Sequence, residues 1–436
     1  MKRLYAAGAL FVFVLSMCVT SSCLTRRGEN RVGGFLEQSL DEFISENDVK
    51  FIRLAFCDVF GTQKNLAIQP CLLEEAFETG IPVNASLIAG FGDKTADVYL
   101  MPDPSTMAVL PWRPSTGRVV RLFCRLHTAS GEPFELDARR ILKDTVKSLR
   151  EKELSVFFGA ECEFYLFKND ENGEPTDIPL DCGGYLDLAP ADRGENVRRE
   201  ICLTLEQMGI QPERSHHEEG PGQNEIDFRY ADPVTAADNA VTFRTVVHTI
   251  AARNGLCADF SPKPLAHAPG NGMHVNFSVH AVDGRDVMPE VIAGILAHIT
   301  EMTAFLNATE ESYHRFGVGK APGYISWSRE NRSQLIRIPA ADGEYRRAEL
   351  RSPDPMCNPY LAFTLLIRAG LDGIRTHAQL PEATDLDLYH APEDVHARCR
   401  ALPRSLAQAR EAAAQSRFIE KSLPREMIEG YTGSAG

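Results

Sequence analysis

The stretch GAECEFYLF at residues 159–167 constrains the fold of this chain more than any other. Its alternation predicts a strand whose apolar residues, such as Cys162 and Phe164, share one face. Glu161 and Glu163 share the opposite face. Two carboxylates on an otherwise apolar strand are costly to bury unless positive charge meets them. The stretch therefore predicts a sheet that carries a charged site on one face.

Three later strand-like segments also place charged residues on a single face. They are QNEIDF with Glu225, MHVNFSV with His274, and YRRAELRS with Arg347, Glu349 and Arg351. Carboxylate oxygens are the ligands of Mg²⁺ and Mn²⁺, whereas zinc would call for thiolates or several imidazoles. Together the segments indicate a carboxylate-rich metal site flanked by arginines. For residues 159–167 taken alone, the alternative interpretation is that Glu161 and Glu163 are two surface glutamates on an edge strand.

An arginine-rich segment precedes and includes the last of these strands. Guanidinium groups bind phosphates and carboxylates in a bidentate manner, so the set fits a nucleotide and an acidic substrate beside the metals. A solvated basic face is the alternative. A P-loop and a GxGxxG motif are both absent from the sequence. The arginines are Arg315, Arg332, Arg337, Arg347 and Arg351.

Composition and charge narrow the class of protein. The 436 residues suffice for two domains, and a net charge of -14 without a basic cluster argues against a nucleic-acid partner. Eleven cysteines without a CxxC pair favour reduced thiols and a cytoplasmic location. We expect no membrane partner.

The N-terminal segment conflicts with that location. Lys2 and Arg3 precede an apolar run that ends before Cys23, which is typical of a secretory or lipoprotein signal. The alternative is an extension ahead of a working protein that starts near Val32. Residues 1–31 are therefore left outside the fold prediction.

The remaining chain divides into two parts. Gly- and Pro-rich loops run from Gly80 to Pro114, and the domain boundary is expected near residues 120–137, after which strands and helices alternate. This pattern predicts the α+β class, with a smaller β-rich domain at residues 32–130 and a larger catalytic domain at residues 131–436.

Eight segments in this order resemble the glutamine synthetase family of the bacterial, type I-like kind, over residues 36–433. The resemblance implies a small β-grasp-like N-terminal domain and a catalytic domain whose curved antiparallel sheet forms the active-site funnel. It also implies a ring-shaped homo-oligomer, expected to be a dodecamer, with sites between neighbouring subunits. The segments are FCDVFGTQKNLAI, LMPDPSTMAVLPW, GAECEFYLF, HHEEGPGQNEIDF, PKPLAHAPGNGMHVNFS, WSRENRSQLIRIP, RRAELRSPDPMCNPYLAF and AGLDGI.

The resemblance also implies a role for each candidate residue. Two divalent ions, Mg²⁺ or Mn²⁺, would bind at each site, together with glutamate and the co-substrate ATP. The catalytic residues implied are Arg315, Arg332 and Arg351. The implied binding sets are Glu163, Glu218 and Glu225 for the first metal, Glu161, His274 and Glu349 for the second, Gly270, Arg315 and Arg351 for glutamate, and Arg332, Arg337 and Arg347 for ATP.

Departures from the family pattern fall at the nitrogen-acceptor position. Asn84 stands where the family has an aspartate, and Lys320 stands where it has a glutamate in a flap. The expected activity is ligation of glutamate with ammonia through a γ-glutamyl phosphate. A γ-glutamyl ligase that uses a larger amine, such as a polyamine, is the alternative, and a non-catalytic relative is a third. Tyr389 falls where some relatives are adenylylated, although a tyrosine there can equally be a packing residue.

Overall fold

The computed structural model describes residues 39–92, 96–340, 343 and 346–433. The signal-like segment at residues 1–31 lies outside the described residues. The described residues form two sheets, and most of the helices pack against the larger one.

The N-terminal sheet has six strands. They are β1 Val49–Cys57, β2 Gln63–Ile68, β3 Ile81–Val83, β4 Val98–Pro102, β5 Ala108–Val109 and β6 Arg118–Thr128. Their order is β2-β1-β6-β4-β3, with β5 also pairing with β6. The pair β1 and β6 is parallel, and the other pairs are antiparallel. Residues 39–46 are helical, and helix α1 (Leu73–Glu78) follows β2.

The larger sheet has nine strands. They are β7 Leu154–Asn169, β8 Pro175–Pro179, β9 Pro212–His217, β10 Gln223–Phe228, β11 Leu256–Asp259, β12 Met273–Ala281, β13 Trp327–Arg329, β14 Ile336–Ile338 and β15 Ala348–Leu350. The order is β13-β14-β15-β12-β7-β10-β9, with β8 and β11 also pairing with β7. All pairs except β13 with β14 are antiparallel.

The helices of the second part pack against one face of this sheet and against one another. Helices α5 and α7 form the most extensive helix pair, and α4 packs against β7. The helices are α2 Ala138–Arg150, α3 Glu195–Gln207, α4 Pro233–Arg253, α5 Met288–Leu306, α6 Glu310–Arg315, α7 Pro359–Thr376, α8 Glu393–His396, α9 Leu406–Ala414, α10 Arg417–Ser422 and α11 Arg425–Thr432.

Strand β7 separates the core from the open face of the larger sheet. The side chains of Ala160, Cys162 and Phe164 are buried against the helices. Glu161 and Glu163 face the other side, as the alternation predicted. The α+β class is therefore confirmed, whereas the division of the chain at residue 130 stays a prediction.

Helix α5 satisfies the length and composition of a membrane span. Within the part of the chain that the structure describes, it is the one helix that does so. Of its most apolar 18-residue window, 67% is buried inside the protein. Its apolar surface is thus used for packing against neighbouring helices, as in a core helix.

Candidate active site

The register of the central strands places the predicted site residues side by side. Antiparallel pairing sets His274 on β12 opposite Glu161 on β7, and Glu225 on β10 opposite Glu163. Glu349 on β15 lies opposite Arg337 on β14. Directly opposed residues have Cβ atoms about 4.5–5.5 Å apart. The charged residues of separate segments are therefore neighbours on one face of the sheet.

This face forms the floor of a cavity of about 690 Å³. Every residue that the sequence assigned to metal, glutamate or ATP binding lines this cavity. These are the acidic residues and histidine Glu161, Glu163, Glu218, Glu225, His274 and Glu349, the arginines Arg315, Arg332, Arg337, Arg347 and Arg351, and Gly270.

One group of possible metal ligands consists of Glu161, His274 and Glu349. The Nδ1 atom of His274 lies 3.7 Å from Glu161 Oε2 and 3.6 Å from Glu349 Oε1. Asn276 Nδ2 donates to Glu161 Oε1 at 2.8 Å, which holds that carboxylate in place. This is the set that the resemblance implies for the second metal.

The other group differs in part from the implied first metal set. The structure brings Glu218 and Glu225 together with His216, and His216 Nε2 lies 2.9 Å from Glu218 Oε1. Glu163 lines the same cavity but is not within this tight group. Its Oε2 atom instead accepts the backbone N–H of Gly272 at 2.7 Å. That hydrogen bond turns the Glu163 carboxylate toward the loop that precedes β12.

The crowding of carboxylates changes their pKa values. Burial, together with the charges of Glu163, Asp227, Glu161 and Glu218, raises the pKa of Glu225 to about 11. Burial and the charge of Glu161 raise the pKa of Asp227 to about 6. Like charges in a confined site cannot all ionise without a counter-charge. A bound cation would provide it.

The donor set fits a divalent hard cation. In each group the ligating atoms lie within 4.8 Å of one another, which is close to the span of two oxygens on opposite sides of a Mg²⁺ ion at 2.0–2.1 Å. The ligands of these two groups are carboxylates with one imidazole each, and thiols are not among them. Glu161 and Glu225 also lie close to Asp227, so a set made of carboxylates alone joins the two groups. This chemistry matches Mg²⁺ or Mn²⁺ better than zinc.

Two arginines are tied to Glu349. Arg337 Nη1 donates to Glu349 Oε2 at 2.8 Å, and Arg351 Nη1 donates to Glu349 Oε1 at 2.6 Å. Burial opposes ionisation of Glu349, yet Arg351, His274 and Arg337 lower its pKa to about 2. Glu349 thus stays ionised and fixes both guanidinium groups. Arg347 Nε donates to Asn276 Oδ1 at 3.0 Å, whereas the side chain of Arg332 is exposed at the cavity rim.

Arg315 is buried beneath the cavity, and its guanidinium group donates hydrogen bonds to backbone carbonyls. Its Nη1 donates to Ser352 O at 2.8 Å, and its Nη2 donates to Arg351 O and Pro353 O at 3.1 and 3.3 Å. Within the described residues Arg315 forms no ion pair. A buried guanidinium that lines a cavity without a carboxylate partner suits an anionic substrate group.

Gly270 lies where a side chain would collide with this arrangement. A Cβ atom at residue 270 would lie 2.4 Å from Pro262 O and 3.1 Å from Arg315 Cγ and Cδ. The backbone therefore approaches Arg315 in a way that only glycine allows.

Gly270→Ala is expected to lower the free energy of unfolding by about 1–3 kcal/mol, because the new methyl group overpacks a rigid backbone contact. It should also raise the KM for the anionic substrate that Arg315 would bind, since Arg315 must move. Urea unfolding and steady-state kinetics measure both effects. Gly430→Ala is the matched control, because its Cβ would meet Phe60 at an ordinary 3.9 Å. A Gly270→Ala protein with unchanged stability and KM would contradict this account.

Several cavity residues have roles that the sequence did not reveal. His216 belongs to a His-His-Glu run, and Asn276 and Gln223 are neutral residues within strands. Gln223 Nε2 donates to Gly270 O at 3.2 Å and lies 3.4 Å from Glu163 Oε2. The alternation of β10 and β12 puts Gln223 and Asn276 on the charged face with Glu225 and His274, and that periodicity was the available signal.

A third group of possible ligands, Asp181, Asp192 and His217, is a structural cluster. His217 Nε2 lies 2.9 Å from Asp181 Oδ1, and its Nδ1 lies 2.6 Å from Glu218 O. Asp181 also accepts backbone N–H groups, and Asp192 pairs with Arg198 at 2.5 Å. Because these atoms already have partners, the cluster anchors the loop at residues 180–194 beside Glu218.

The mouth of the cavity is crossed by an ion pair. Lys320 Nζ lies 2.9 Å from Glu219 Oε2 and 5.3 Å from the centre of the Tyr185 ring. The Lys320 carbonyl accepts hydrogen bonds from Arg351 Nη2, at 3.3 Å, and from the hydroxyl of Tyr389. The oxygen of the same hydroxyl lies 2.8 Å from Arg332 O, so its single proton is shared between the two carbonyls. Tyr389 thus fastens the loop that carries Lys320 to the cavity wall.

Asn84 is not among the residues that line this cavity. It caps a short 3-10 helix, Ala85–Leu87, through hydrogen bonds from Ser86 N and Ser86 Oγ at 3.0 and 2.7 Å. Within one chain, Asn84 and Lys320 therefore do not share a site.

Comparisons with known proteins agree with this geometry. A family model described as "Glutamine synthetase, catalytic domain" matches residues 135–435. Another, described as "Glutamine synthetase, beta-Grasp domain", matches residues 48–129, which confirms the β-grasp-like N-terminal domain.

Individual relatives match over most of the chain. A glutamine synthetase of Methanosarcina mazei is 45% identical over 407 residues, which cover 89% of this chain and 91% of the relative. A glutamine synthetase of Clostridium saccharobutylicum is 42% identical and covers 91% and 93%, respectively.

Solved structures of a protein named GmaS, one with ADP and one without ligand, superpose with a TM-score of 0.81. They are 29% and 30% identical and cover 91% of this chain and 94% of their own. Sequence and fold thus agree over both domains. The chain belongs to the glutamine synthetase family, and it is a glutamate–ammonia ligase or a closely related glutamate–amine ligase.

Proposed function

We propose that this protein joins glutamate and ammonia, at the expense of ATP, to form glutamine through a γ-glutamyl phosphate. The observation that carries the proposal is the single cavity in which two groups of carboxylate ligands lie beside Arg315 and Arg351. Such a site can neutralise a nucleotide and an acidic amino acid together. The relatives named glutamine synthetase support the same reaction.

Two divalent ions would be held by the carboxylate groups. Glu161, His274 and Glu349 would hold one ion. Glu218 and Glu225 would hold the other, with Glu163 as the implied third ligand and His216 beside them. When bound, Mg²⁺ or Mn²⁺ supplies positive charge that neutralises the phosphate oxygens during transfer.

The residues of the chain would position both substrates. Arg315 and Arg351, next to the backbone of Gly270, would bind the carboxylates of glutamate, and Arg332, Arg337 and Arg347 would bind the phosphates of ATP. An oxygen of the γ-carboxylate attacks the terminal phosphorus, and the bond to ADP breaks. The arginines stabilise the negative charge that spreads over the transferred group. The neutral amine nitrogen then attacks the γ-carbonyl carbon, the bond to the phosphate oxygen breaks, and the phosphate leaves with the proton that the nitrogen loses.

The nitrogen donor is where the local chemistry argues for a second candidate. Ammonium would need an anionic group at the cavity mouth to attract it and accept its proton. Glu219 could serve, but Lys320 already neutralises it at 2.9 Å. A larger amine, bound through its carbon chain, would depend less on that charge. A γ-glutamyl ligase for a larger amine is therefore the alternative.

The decisive measurement is phosphate release from ATP and glutamate with ammonium, methylamine or a polyamine as acceptor. The proposal expects ammonium to give the highest kcat/KM, with a high KM. Lys320→Ala should lower the KM for ammonium several-fold, because it frees Glu219, while exposed Lys152→Ala should leave it unchanged. Saturation by a larger amine at lower concentration would favour the alternative. Absence of phosphate release with every acceptor would contradict both.

We also propose a homo-oligomer, a dodecamer in size, that works in the cytoplasm. The support is the placement of Asn84 outside its own cavity, next to Leu87, whose side chain is 83% exposed. A neighbouring copy could cover the Leu87 side chain, and Asn84 would then lie at the cavity of that neighbouring copy. Light scattering of the purified chain measures the assembly, and a monomer would contradict it.

A further inference from the structure

A second cavity, of about 210 Å³, lies between the N-terminal sheet and helix α4. Three arginines line it: Arg53 on β1, Arg113 after β5 and Arg121 on β6. Among its described lining residues there is no aspartate or glutamate. Three positive charges in a confined, partly enclosed space attract anions, because the low-dielectric walls concentrate their field. The cavity is separate from the active site, and the two have no lining residue in common.

Arg121 is the most constrained of the three. It is 8% exposed, its guanidinium lies over the Phe123 ring, and its Nη1 donates to Thr242 Oγ1 at 3.1 Å. Its Nε atom is buried without a hydrogen-bond partner among the described residues. The nearby Asp238 cannot compensate fully, because its carboxylate is bonded to Arg139 and Tyr360. Burial accordingly lowers the pKa of Arg121 to about 10.

The two other arginines are free to bind a ligand. Arg53 has one side-chain hydrogen bond, to Asn65 Oδ1 at 3.3 Å. Arg113 is exposed and, within the part of the chain that the structure describes, has neither an ion pair nor a side-chain hydrogen bond. Guanidinium groups with unused donors are suited to bind carboxylates in a bidentate manner.

The rest of the wall combines apolar and neutral polar groups. Leu110, Trp112 and Met208 offer apolar contact, and Thr245 and Thr249 are further lining residues. An inorganic ion would leave the apolar wall unused. The volume of 210 Å³ suits a small metabolite and is smaller than the usual range of drug-sized sites.

We propose that this cavity binds a small organic anion with more than one negative group, of the short dicarboxylate class. The arginines would hold the carboxylates, and the apolar wall would contact the carbon chain. Arg53 and Arg121 lie on the N-terminal sheet, Arg113 lies in the turn between β5 and β6, and the threonines lie on α4. The ligand would therefore join two parts of the fold. This is a binding site in addition to the active site.

The chain offers a site-specific readout for this proposal. It has two tryptophans, Trp112 in the cavity wall and Trp327 on β13. In the full chain with Trp327→Phe, the fluorescence reports on Trp112. Titration with glutarate is expected to give a saturable change. Arg53→Ala and Arg113→Ala on this background should each raise the Kd at least about tenfold, since a hydrogen bond to a charged group contributes about 1.5–3 kcal/mol.

Arg125→Ala is the matched control, because Arg125 is exposed on the same strand β6 and does not line the cavity. Its Kd should equal that of the parent. If Trp327→Phe impairs folding, glutarate binding is measured by calorimetry instead, with the same arginine variants in the chain that retains Trp327. The proposal is overturned if glutarate gives no saturable response, or if the Kd is unchanged in Arg53→Ala and Arg113→Ala. Binding of inorganic phosphate without binding of any dicarboxylate would also overturn it.

Discussion

Glu349→Ala is expected to abolish measurable turnover and to lower the free energy of unfolding by about 3–5 kcal/mol. The carboxylate of Glu349 is buried between Arg337 and Arg351, with hydrogen bonds of 2.8 and 2.6 Å. Arg351 is 2% exposed. Removing the carboxylate leaves a buried guanidinium with no counter-charge, which costs far more than an exposed ion pair would.

The catalytic loss has a separate cause. Glu349 is one of three grouped ligand candidates, and it also fixes two arginines of the cavity. Removing one fixed electrostatic group typically costs about 100- to 1000-fold in kcat, and this change disturbs three groups at once. Urea unfolding and phosphate release measure the two effects independently.

Two variants control this prediction. Glu349→Gln keeps the shape and one acceptor oxygen, so it should lose turnover but retain more stability than the alanine variant. Exposed Glu171→Ala, in a turn after β7, should behave as the parent. A Glu349→Ala protein that unfolds and turns over as the parent does would show that Glu349 is not part of the site.

Removal of divalent cations is expected to stop turnover completely, and excess Mg²⁺ is expected to restore it. The carboxylates around Glu225 repel one another, so a cation is needed to keep them ionised together. Turnover at an unchanged rate in EDTA would contradict the two-metal proposal.

The same cluster predicts how pH changes the effect of the cation. The pKa of Glu225 is raised in the metal-free fold from about 4.5 to about 11. The stability that this group contributes is therefore fully present below the unfolded pKa of about 4.5, and it is lost as the pH rises toward 11. Binding of Mg²⁺ must displace the Glu225 proton, which becomes easier as the pH rises.

We therefore expect the rise in Tm caused by Mg²⁺ to increase from pH 6 to pH 8. Glu225→Gln removes the titrating group, so in that variant the rise in Tm should be smaller and should depend less on pH. Thermal unfolding with and without Mg²⁺ at each pH measures this. An effect of Mg²⁺ that is independent of pH in the parent chain would rule out displacement of the Glu225 proton.

Local sequence determined the elements and their faces. The alternation of residues 159–167 predicted which side chains of β7 are buried, because successive side chains of any strand point to opposite faces. Asp137 precedes helix α2, and its side chain accepts the N–H of Arg140 as a helix cap. These features depend on neighbours a few residues away, so the chain determines them without its tertiary contacts.

Contacts between distant segments were decided by the tertiary structure. The register of β10 and β9 brings His216 beside Glu225, so that His216 joins the group that Glu225 forms with Glu218. Lys320 pairs with Glu219, which lies about 100 residues earlier in the chain. Helix α9 packs against α5, about 100 residues earlier in the chain, and Ala409 and Ala413 on α9 are buried.

The physical reason is that periodicity fixes the direction of a side chain but not what it meets. Strand register follows from the packing of the whole sheet, and a shift of one residue would exchange its two faces. The cavity around Arg121 depends in the same way on how the N-terminal sheet meets α4, about 120 residues further along the chain. The sequence alone therefore determined which groups carry charge and which face they share, and the tertiary structure decided which of them meet.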